Sequence, residues 1–452
     1  MKKSVIVLFV LLFIAAAWFI GFWVLGPESI SGDPPSAGAS STPPGSPGTG
    51  TNDPTLPGSD GDDTDPPSTP GETDGERGDR RNVMLMEAER LFLGYFYEES
   101  LELLRSDESL FNDETERLEA AILDAINSLV LYQGDVKHIF THTLITYPEF
   151  LYRNITTPQS GYAYFLYQRE FEKALPLLYE RGYVLYDIND LFEKDANGNM
   201  QRKDIYLPPG KMPLIFSIDD PGYENARSHG GVGFANKLVI DEFGEVATEV
   251  ITPDGETLIT YDGDAFLLVD IFVRDNPGFS WRGAKGIIAA TGVVFDKSSN
   301  GIFGYDYQKD ENAVEIAKQI ADKIKENGWL FACHSFTHNT QVLKTRTDYD
   351  LNRWNEKHGY ALGTTNIFIS PAGVSPTWLG SAAMQVVKDY GYDIFCTVDN
   401  RQAIEGIGTP IITMGRIEIS WYSLVRFADT LNRDFFDTSK VIDSHRPPLS
   451  LN

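Results

Sequence analysis

From about residue 136 onward, short apolar segments alternate with amphipathic helical patterns. The segments typical of buried strands are residues 137–145, 213–218, 329–333, 366–370, 393–398 and 416–420. Between them, apolar residues recur at helical spacing in residues 169–182, 312–328 and 381–391, and the last two patterns end at a glycine, as helices often do. Strands that alternate with helices of this length indicate a parallel sheet covered by helices, either open or closed into a barrel.

A purely helical pattern precedes this alternation. Apolar residues follow a dense spacing of three and four in residues 84–105, and again after Asp113. Asp113 and Glu116 match a capping box, which marks the start of a helix. We therefore expect a helical hairpin over residues 83–134 that packs on the main domain, residues 135–452.

Residues 223–286 interrupt the alternation of strands and helices. Apolar and polar positions alternate on both sides of the turn sequence at residues 253–255, which predicts a hairpin. We interpret this region as a β-rich insertion that walls one side of a cleft. Its aromatic residues, such as Tyr223, Tyr261 and Trp281, would either stack on sugar rings or pack in a core.

The N-terminal apolar segment, residues 4–26, carries no charge and follows two lysines. At about 1.5 Å per residue it is long enough for the roughly 30 Å hydrocarbon core of a bilayer. No basic residue follows until Arg77, so the positive-inside rule predicts a single-pass anchor with the N-terminus in the cytoplasm and the rest of the chain outside the cell. The alternative is a signal peptide cleaved near residues 15–17.

Residues 27–82 are rich in Pro, Gly, Ser, Thr and Asp and contain no aromatic residue. Such a segment buries too little apolar surface to offset the entropy lost on ordering. We predict a disordered linker between the anchor and the folded part.

Composition narrows the classes of function. The 452 residues include 65 acidic and 38 basic side chains, a net charge of −27, which excludes a nucleic-acid binder because phosphates require a basic surface. The two cysteines, Cys333 and Cys396, exclude a disulfide scaffold and a four-thiolate zinc site. They would pack in the core or pair with each other, and Cys333 could also be a metal ligand.

Polar residues follow directly on three of the predicted strands. Asp219 and Asp220 come after the strand that ends at Ile218, His334 comes after Cys333, and residues 370–373 form a turn after another strand. Because chemistry collects at the carboxyl ends of parallel strands, we expect these residues to meet.

His334 and His338 are four residues apart, within reach of one ion. A carboxylate from Asp219 or Asp220 would complete a set of two histidines and one acid, which leaves positions open for water and substrate. The alternatives are that the aspartates cap a helix or turn and that the histidines make structural hydrogen bonds.

These residues resemble the motifs of the polysaccharide deacetylases with a NodB homology domain, carbohydrate esterase family four. The first family motif, T-F-D-D-G, corresponds to residues 217–221, and the second, H-S/T-x-x-H, is matched in full by residues 334–338. The proline and glycine of the third motif correspond to Pro371 and Gly373. The resemblance covers about residues 136–425 and implies a distorted (β/α) barrel.

The resemblance also implies a reaction and its residues. Asp219 would be the general base, and Asp220, His334 and His338 would hold a divalent ion: zinc, or alternatively cobalt, nickel or manganese. The backbone N–H of Ala372 would stabilise the oxyanion. The implied reaction is hydrolysis of N-acetyl groups on an amino-sugar polysaccharide of the cell envelope, and the oligomeric state is left open.

The chain departs from the family at three positions. Ile369 occupies the place of the third-motif arginine, and Asp399 is the nearest counterpart of the fourth motif. The region that should carry the catalytic-acid histidine has Arg416 instead. His142 and His229 are the substitutes that the sequence offers, although each also suits a structural hydrogen bond.

Two alternatives to a deacetylase therefore stay open. One is a sugar-binding module that kept the fold and lost catalysis, which the missing arginine and histidine favour. The other is a metal-dependent esterase or amidase with a different substrate.

Overall fold

Seven parallel strands form the centre of the protein. The structure is a computed structural model that describes residues 73–149, 160–221, 223, 233–292, 301–306, 311–447 and 449. The seven strands are β1 (Lys137–His142), β2 (Met212–Asp219), β3 (Gly286–Ala290), β4 (Trp329–Cys333), β5 (Ile367–Ile369), β6 (Ile394–Val398) and β7 (Ile412–Glu418).

The seven strands close into a barrel. Each pairs in parallel with the next from β1 to β7, and β7 pairs with β1, where Ile417 lies opposite Ile139. The ring is distorted in two places. A short strand, Tyr183–Leu185, pairs with the beginning of β2, so that β3 pairs only with its end. Strands β4 and β5 share a single residue pair, Cys333 and Phe368.

Side chains along the strands alternate between two cores, as the pleat of a strand requires. One cluster fills the barrel and includes Ile215, Ile287, Ile369, Cys396 and Met414. The other lies between the strands and the surrounding helices. Its strand members are Phe216, Ile288, Phe331, Phe368 and Phe395. Residues that alternate with the second cluster, including those at the carboxyl ends of β1, β2 and β7, therefore face the barrel interior.

Helices cover the outside of the barrel, and three of them, Gln168–Glu180, Ala313–Glu326 and Ser381–Asp389, lie where the periodicity predicts. The longer ones are Gln168–Glu180, Ala265–Asp275, Ala313–Glu326, Thr347–Trp354 and Ser381–Asp389. Shorter helices are Thr340–Thr345, Pro376–Leu379, Trp421–Arg426, Ala428–Asp434 and Thr438–Val441. Small antiparallel pairs join Val130–Leu131 to Tyr206–Leu207 and Phe192–Lys194 to Met200–Arg202.

The N-terminal helices differ in detail from the prediction. The pattern in residues 84–105 is two helices, Asp74–Leu93 and Tyr97–Leu104, because the chain turns at Gly94 and Tyr95 takes a positive φ of 67°. The first begins within the range predicted as linker, since Thr73 caps it through a capping box with Glu76.

The predicted capping box at Asp113 is wrong. Asn112 caps the helix Asp113–Asn127, and its partner in the box is Thr115. Asparagine is as good a cap as aspartate because its side-chain oxygen accepts the same backbone N–H bonds.

The region 223–286 is only partly β. Strands Ala235–Ile240, Val246–Ile251 and Thr257–Thr260 form an antiparallel sheet, and the predicted turn at residues 253–255 joins the last two. The apolar run after Asp264, interpreted as strand, is the helix Ala265–Asp275. Asp264 accepts a hydrogen bond from the N–H of Ala265, and the helix buries most of its first turns against the barrel. This helix is the connection between β2 and β3, and β3 itself was not predicted.

Two predicted elements lie outside the described residues: the membrane anchor at residues 4–26 and the linker up to residue 72. Within the described ranges, no helix is both long enough and apolar enough to cross a bilayer.

Candidate metal centre

The carboxyl ends of the strands bring the predicted site residues together. Asp219 is the last residue of β2, and Asp220 follows with a positive φ of 59°. His334 follows β4 directly. His338 closes the loop after it with a φ of 47°. Backbone in this region is strained for residues other than glycine, and such strain is common where a site requires it.

Asp220, His334 and His338 form a group that could hold one metal ion, with their ligand atoms all within 4.8 Å of one another. Nε2 of His334 lies 3.7 Å from one carboxylate oxygen of Asp220, and Nε2 of His338 lies 3.5 Å from the other. Asp220 and His334 are buried, whereas 30% of the His338 side chain is exposed. The set is therefore open on the side of His338.

Two features fit the presence of an ion. Nδ1 of His334 lies 2.8 Å from the carbonyl oxygen of Ile369, so that this nitrogen carries the proton and donates. The lone pair of Nε2 then faces the aspartates, as in metal sites where a carbonyl orients the histidine. One buried oxygen of Asp220 has no hydrogen-bond partner in the described part of the chain, and a buried carboxylate oxygen is costly without one.

Arg416 on β7 holds Asp219 on β2 across the interior of the barrel, with only β1 between the two strands. Its two terminal nitrogens donate to the two carboxylate oxygens of Asp219 at 2.8 and 2.9 Å, and one also donates to the hydroxyl of Ser217 at 3.0 Å. Arg416 is completely buried, and its guanidinium lies 4.0 Å from the centre of the Phe140 ring. Burial alone would raise the pKa of Asp219, but the charge and the hydrogen bonds of Arg416 hold that pKa well below its usual range.

This contact changes how the isoleucine in the third-motif position, Ile369, is interpreted. The sequence shows no arginine in the third-motif position, but β7 supplies a guanidinium to the aspartate from another strand. Ile369 is itself buried in the barrel interior. Asp219 therefore has a guanidinium partner on β7, and this contact depends on the closed ring of strands.

Asp350 is a residue that the sequence analysis missed. It is fully buried on the helix Thr347–Trp354 and accepts hydrogen bonds from the backbone N–H groups of Phe336 and Thr337 at 2.8 and 3.0 Å. These residues lie between His334 and His338. Asp350 therefore fixes the loop that places both histidines, and its distance along the chain left no local signal.

The turn after β5 contains Ala372, which takes a φ of 50° and is exposed. The carbonyl of Ile369, three residues earlier, is the one that accepts from His334. The turn thus lies beside the candidate metal centre, and the oxyanion role of Ala372 stays a prediction.

His142 reaches the same region from β1. It lies directly opposite Asp219 in the strand register, and its Nδ1 is 3.3 Å from a carboxylate oxygen of Glu418 at the end of β7. Burial lowers its pKa, but Glu418 and, further away, Asp220 and Asp219 raise that pKa to about 9.

Several other candidates lie elsewhere or serve packing. Asp399 binds Arg401 at 2.7 Å on the surface. Tyr223 donates to Asp264, and the Trp281 ring stacks on Tyr95. His229 lies outside the described residues.

Both cysteines are free and buried. Cys396 points into the barrel and Cys333 toward the helices, which excludes a disulfide between them. The described metal-binding group does not include Cys333. Each cysteine therefore serves as a packing residue in one of the two cores.

Comparison with solved structures finds similarity to polysaccharide deacetylases. The Streptococcus pyogenes deacetylase PplD, in complex with acetate, aligns with 68% of this chain and 99% of its own, at 13% identity and a TM-score of 0.36. A polysaccharide deacetylase from Bacillus cereus aligns with 67% and 69%, at 14% identity and a TM-score of 0.37. No protein-family model and no curated protein matches the chain. At this level of similarity, function has to be argued from the site.

The support of the histidine loop by Asp350 can be tested by hydrogen exchange. Asp350→Asn leaves one side-chain acceptor where the carboxylate has two, and a hydrogen bond to a charged group contributes about 1.5–3 kcal/mol. We expect the amides of Phe336 and Thr337 to exchange about 10- to 100-fold faster, measured by mass spectrometry. The control Glu356→Gln removes the same charge from an exposed position and should leave these amides unchanged. Equal exchange in the two variants would show that Asp350 does not hold the loop.

Proposed function

We propose that this protein is a metal-dependent hydrolase that removes N-acetyl groups from an amino-sugar polysaccharide of the cell envelope. One observation carries the proposal: an open Asp220, His334 and His338 set lies next to an ionised carboxylate, Asp219, held by Arg416. Three protein ligands with open positions are the pattern of catalytic sites, whereas structural sites are closed by four. The nitrogen and oxygen donors suit zinc.

The residues of the site divide the chemistry between them. A divalent ion held by Asp220, His334 and His338 would polarise the acetamide carbonyl and lower the pKa of water. Asp219, which Arg416 keeps ionised, accepts the proton of the attacking water. The carboxylate can do so because each of its oxygens keeps a lone pair beside the bond from arginine. The N–H of Ala372 would donate to the oxyanion.

Arg416 also favours an enzyme over a sugar-binding module. The module was suggested by the missing third-motif arginine, yet a buried guanidinium makes both hydrogen bonds to Asp219. A module without catalysis has no need to keep a buried carboxylate ionised, since that costs several kcal/mol of desolvation per ion.

The surroundings of the site suit a neutral glycan. Tyr164 is 46% exposed, and its ring lies 5.9 Å from that of Tyr422. Tyr164 precedes Phe165, whose ring contacts His142 at 5.6 Å, and a sugar ring could stack on an exposed tyrosine of this kind. The net charge of −27 repels polyanions and leaves an uncharged N-acetylated glycan unaffected.

The proposed location is outside the membrane. It is supported by the sequence alone: an uncharged apolar segment at residues 4–26 after two lysines, followed by a linker rich in proline and glycine. The linker would let the hydrolase reach polymer at some distance from the bilayer.

The first test is release of acetate. Zinc-loaded protein should release acetate from chitin oligomers or from peptidoglycan, measured enzymatically, because the site presents a base and open ligand positions. A chelator should abolish the release, and zinc should restore it. Tight binding of zinc without acetate release from a broad panel of N-acetylated glycans would instead favour the sugar-binding module.

A second test separates the base from the ligands. Asp219→Asn should retain zinc and lose at least about 100-fold in kcat, since general-base catalysis contributes about 10²–10⁴-fold. His334→Ala should lose both zinc and activity. The exposed substitutions Asp348→Asn and His445→Ala remove the same groups away from the site and should change neither. Activity retained in Asp219→Asn or His334→Ala would disprove the assigned roles.

A third test concerns the anchor. The full chain should stay in the membrane fraction after alkaline carbonate extraction, because residues 4–26 are uncharged and long enough to span. Protease added to intact spheroplasts should digest the folded domain, while a reporter fused to the N-terminus should be protected. A mature N-terminus beyond residue 17, found by mass spectrometry, would support a cleaved signal peptide instead.

A further inference from the structure

His142 and Glu418 form a second pair of titratable groups beside the candidate metal centre. They lie at the ends of β1 and β7, and Nδ1 of His142 is 3.3 Å from Glu418, close enough for an ion pair although not aligned as a hydrogen bond. Both atoms are buried, and in the described ranges neither makes another hydrogen bond. Because His142 lies opposite Asp219 in the register, its ring faces the same side of the sheet as the proposed base.

The ring of His142 remains accessible. Its side chain is 17% exposed although Nδ1 is turned inward. On its outer side lies Phe165, which in turn contacts Phe234 of the inserted sheet with ring centres 5.1 Å apart. The histidine therefore lies between two aromatic rings, those of Phe140 and Phe165, and the carboxylate of Glu418.

The other histidines that the structure describes outside the metal set are poorly placed to donate a proton. His138 is fully buried, its ring lies 3.0 Å from Ser217, and burial lowers its pKa well below the usual range. His358 is buried and held by the carbonyl of Thr291, and its pKa falls to about 4. His445 is exposed on the C-terminal segment.

The carboxylate of Glu418 favours the protonated form of the His142 ring. Burial lowers its pKa, and Glu418 on β7 outweighs that effect, with smaller contributions from Asp220 and Asp219 on β2, so that the pKa lies at about 9. The two rings that contact it, those of Phe140 and Phe165, are uncharged. Below that pKa the ring is an imidazolium.

We propose that His142 is the general acid that protonates the leaving amine, and that Glu418 is the positioning residue that holds it charged and oriented. This inference rests on the proposed function, because it assigns the proton donor that the deacetylase reaction requires. β7 contains no histidine that could donate this proton.

Water, Asp219 and His142 together supply and accept every proton that the reaction transfers. Water adds its oxygen to the acetamide carbon while Asp219 takes one of its protons. The C–N bond then breaks, its electron pair stays on nitrogen, and the ring of His142 gives that nitrogen a proton. The products are a free amine and acetic acid, and the proton on Asp219 returns to His142 through solvent, which restores both groups.

Substrates with different leaving groups distinguish a general-acid role of His142 from a structural role. An amine leaves only when it is protonated, whereas the phenolate of an activated aryl acetate leaves without a proton. The zinc-loaded full chain is therefore compared with His142→Gln on a chitin oligomer and on p-nitrophenyl acetate. We expect kcat/KM for the amide to fall by about 100- to 10,000-fold, and that for the ester to change by less than about threefold, with zinc content unchanged.

His445→Gln is the matched control, because His445 also lies beside a carboxylate, 3.2 Å from Asp443, on an exposed segment. It should alter neither rate. Equal loss on both substrates, loss of zinc, or full amide activity in His142→Gln would each overturn the inference. If the wild type releases no acetate from the amide, the proposed function fails, and the inference fails with it.

The pairing of His142 with Glu418 can be tested separately, through the pH dependence of the reaction. Loss of the carboxylate charge in Glu418→Gln should lower the pKa of His142, since an opposite charge at this distance shifts a pKa by about 1–3 units. The alkaline limb of the pH profile of amide kcat/KM should therefore move to lower pH by about that amount, while the ester profile keeps its alkaline limb. An unchanged amide profile would show that Glu418 does not hold the proton on His142.

Discussion

The bidentate contact between Arg416 and Asp219 lies in the interior of the barrel, and the site is arranged around it. A guanidinium buried in an apolar interior is tolerated only when it is paired and hydrogen-bonded, and removing one partner of such a pair costs about 3–5 kcal/mol. The two terminal nitrogens of Arg416 meet this condition through Asp219 and Ser217, with the ring of Phe140 beneath them, while its Nε has no hydrogen-bond partner among the described residues. In return, Asp219 remains ionised in a position where burial alone would neutralise it. The adjacent Asp220 is then turned toward the two histidines by its positive φ.

The centre is supported from outside as well. Asp350 holds the loop between the two histidines, and the carbonyl of Ile369 orients the ring of His334. Neither contact touches the region where substrate would bind. They fix the positions of ligand atoms in a group that has strained backbone at three of its residues, Asp220, Ser335 and His338. Strain of this kind persists only when the surrounding structure over-determines it, and Asp350 supplies part of that constraint.

The sequence predicts much of the fold because the spacing of apolar residues along a short segment indicates whether that segment is a helix or a buried strand. All but one of the barrel strands were recognised. The exception, β3, is a short Gly-Ile-Ile-Ala-Ala run that merges into the inserted region. The apolar run after Asp264 was taken as strand because an apolar segment without clear periodicity suits either state. The metal set was predicted from the four-residue spacing of the two histidines and from the aspartates and His334 that directly follow predicted strands. The roles of Arg416 and Glu418 could not follow, since their partners are far along the chain and meet them only through strand register and closure. The role of Asp350 depends on how its helix packs on the histidine loop, which the spacing of residues does not show.

The pairing of β7 with β1 has a consequence for how the protein becomes active. β7 is the last barrel strand in the sequence, and its Arg416 contacts a residue 197 positions earlier. Contacts of such separation form late, because the entropy of closing a long loop must be lost before the contact repays it. Until the ring closes, Asp219 lacks the guanidinium of Arg416 and His142 lacks the carboxylate of Glu418. Completion of the barrel and assembly of the reactive groups are thus one event, and a chain that is still emerging or only partly folded lacks the groups with which to react.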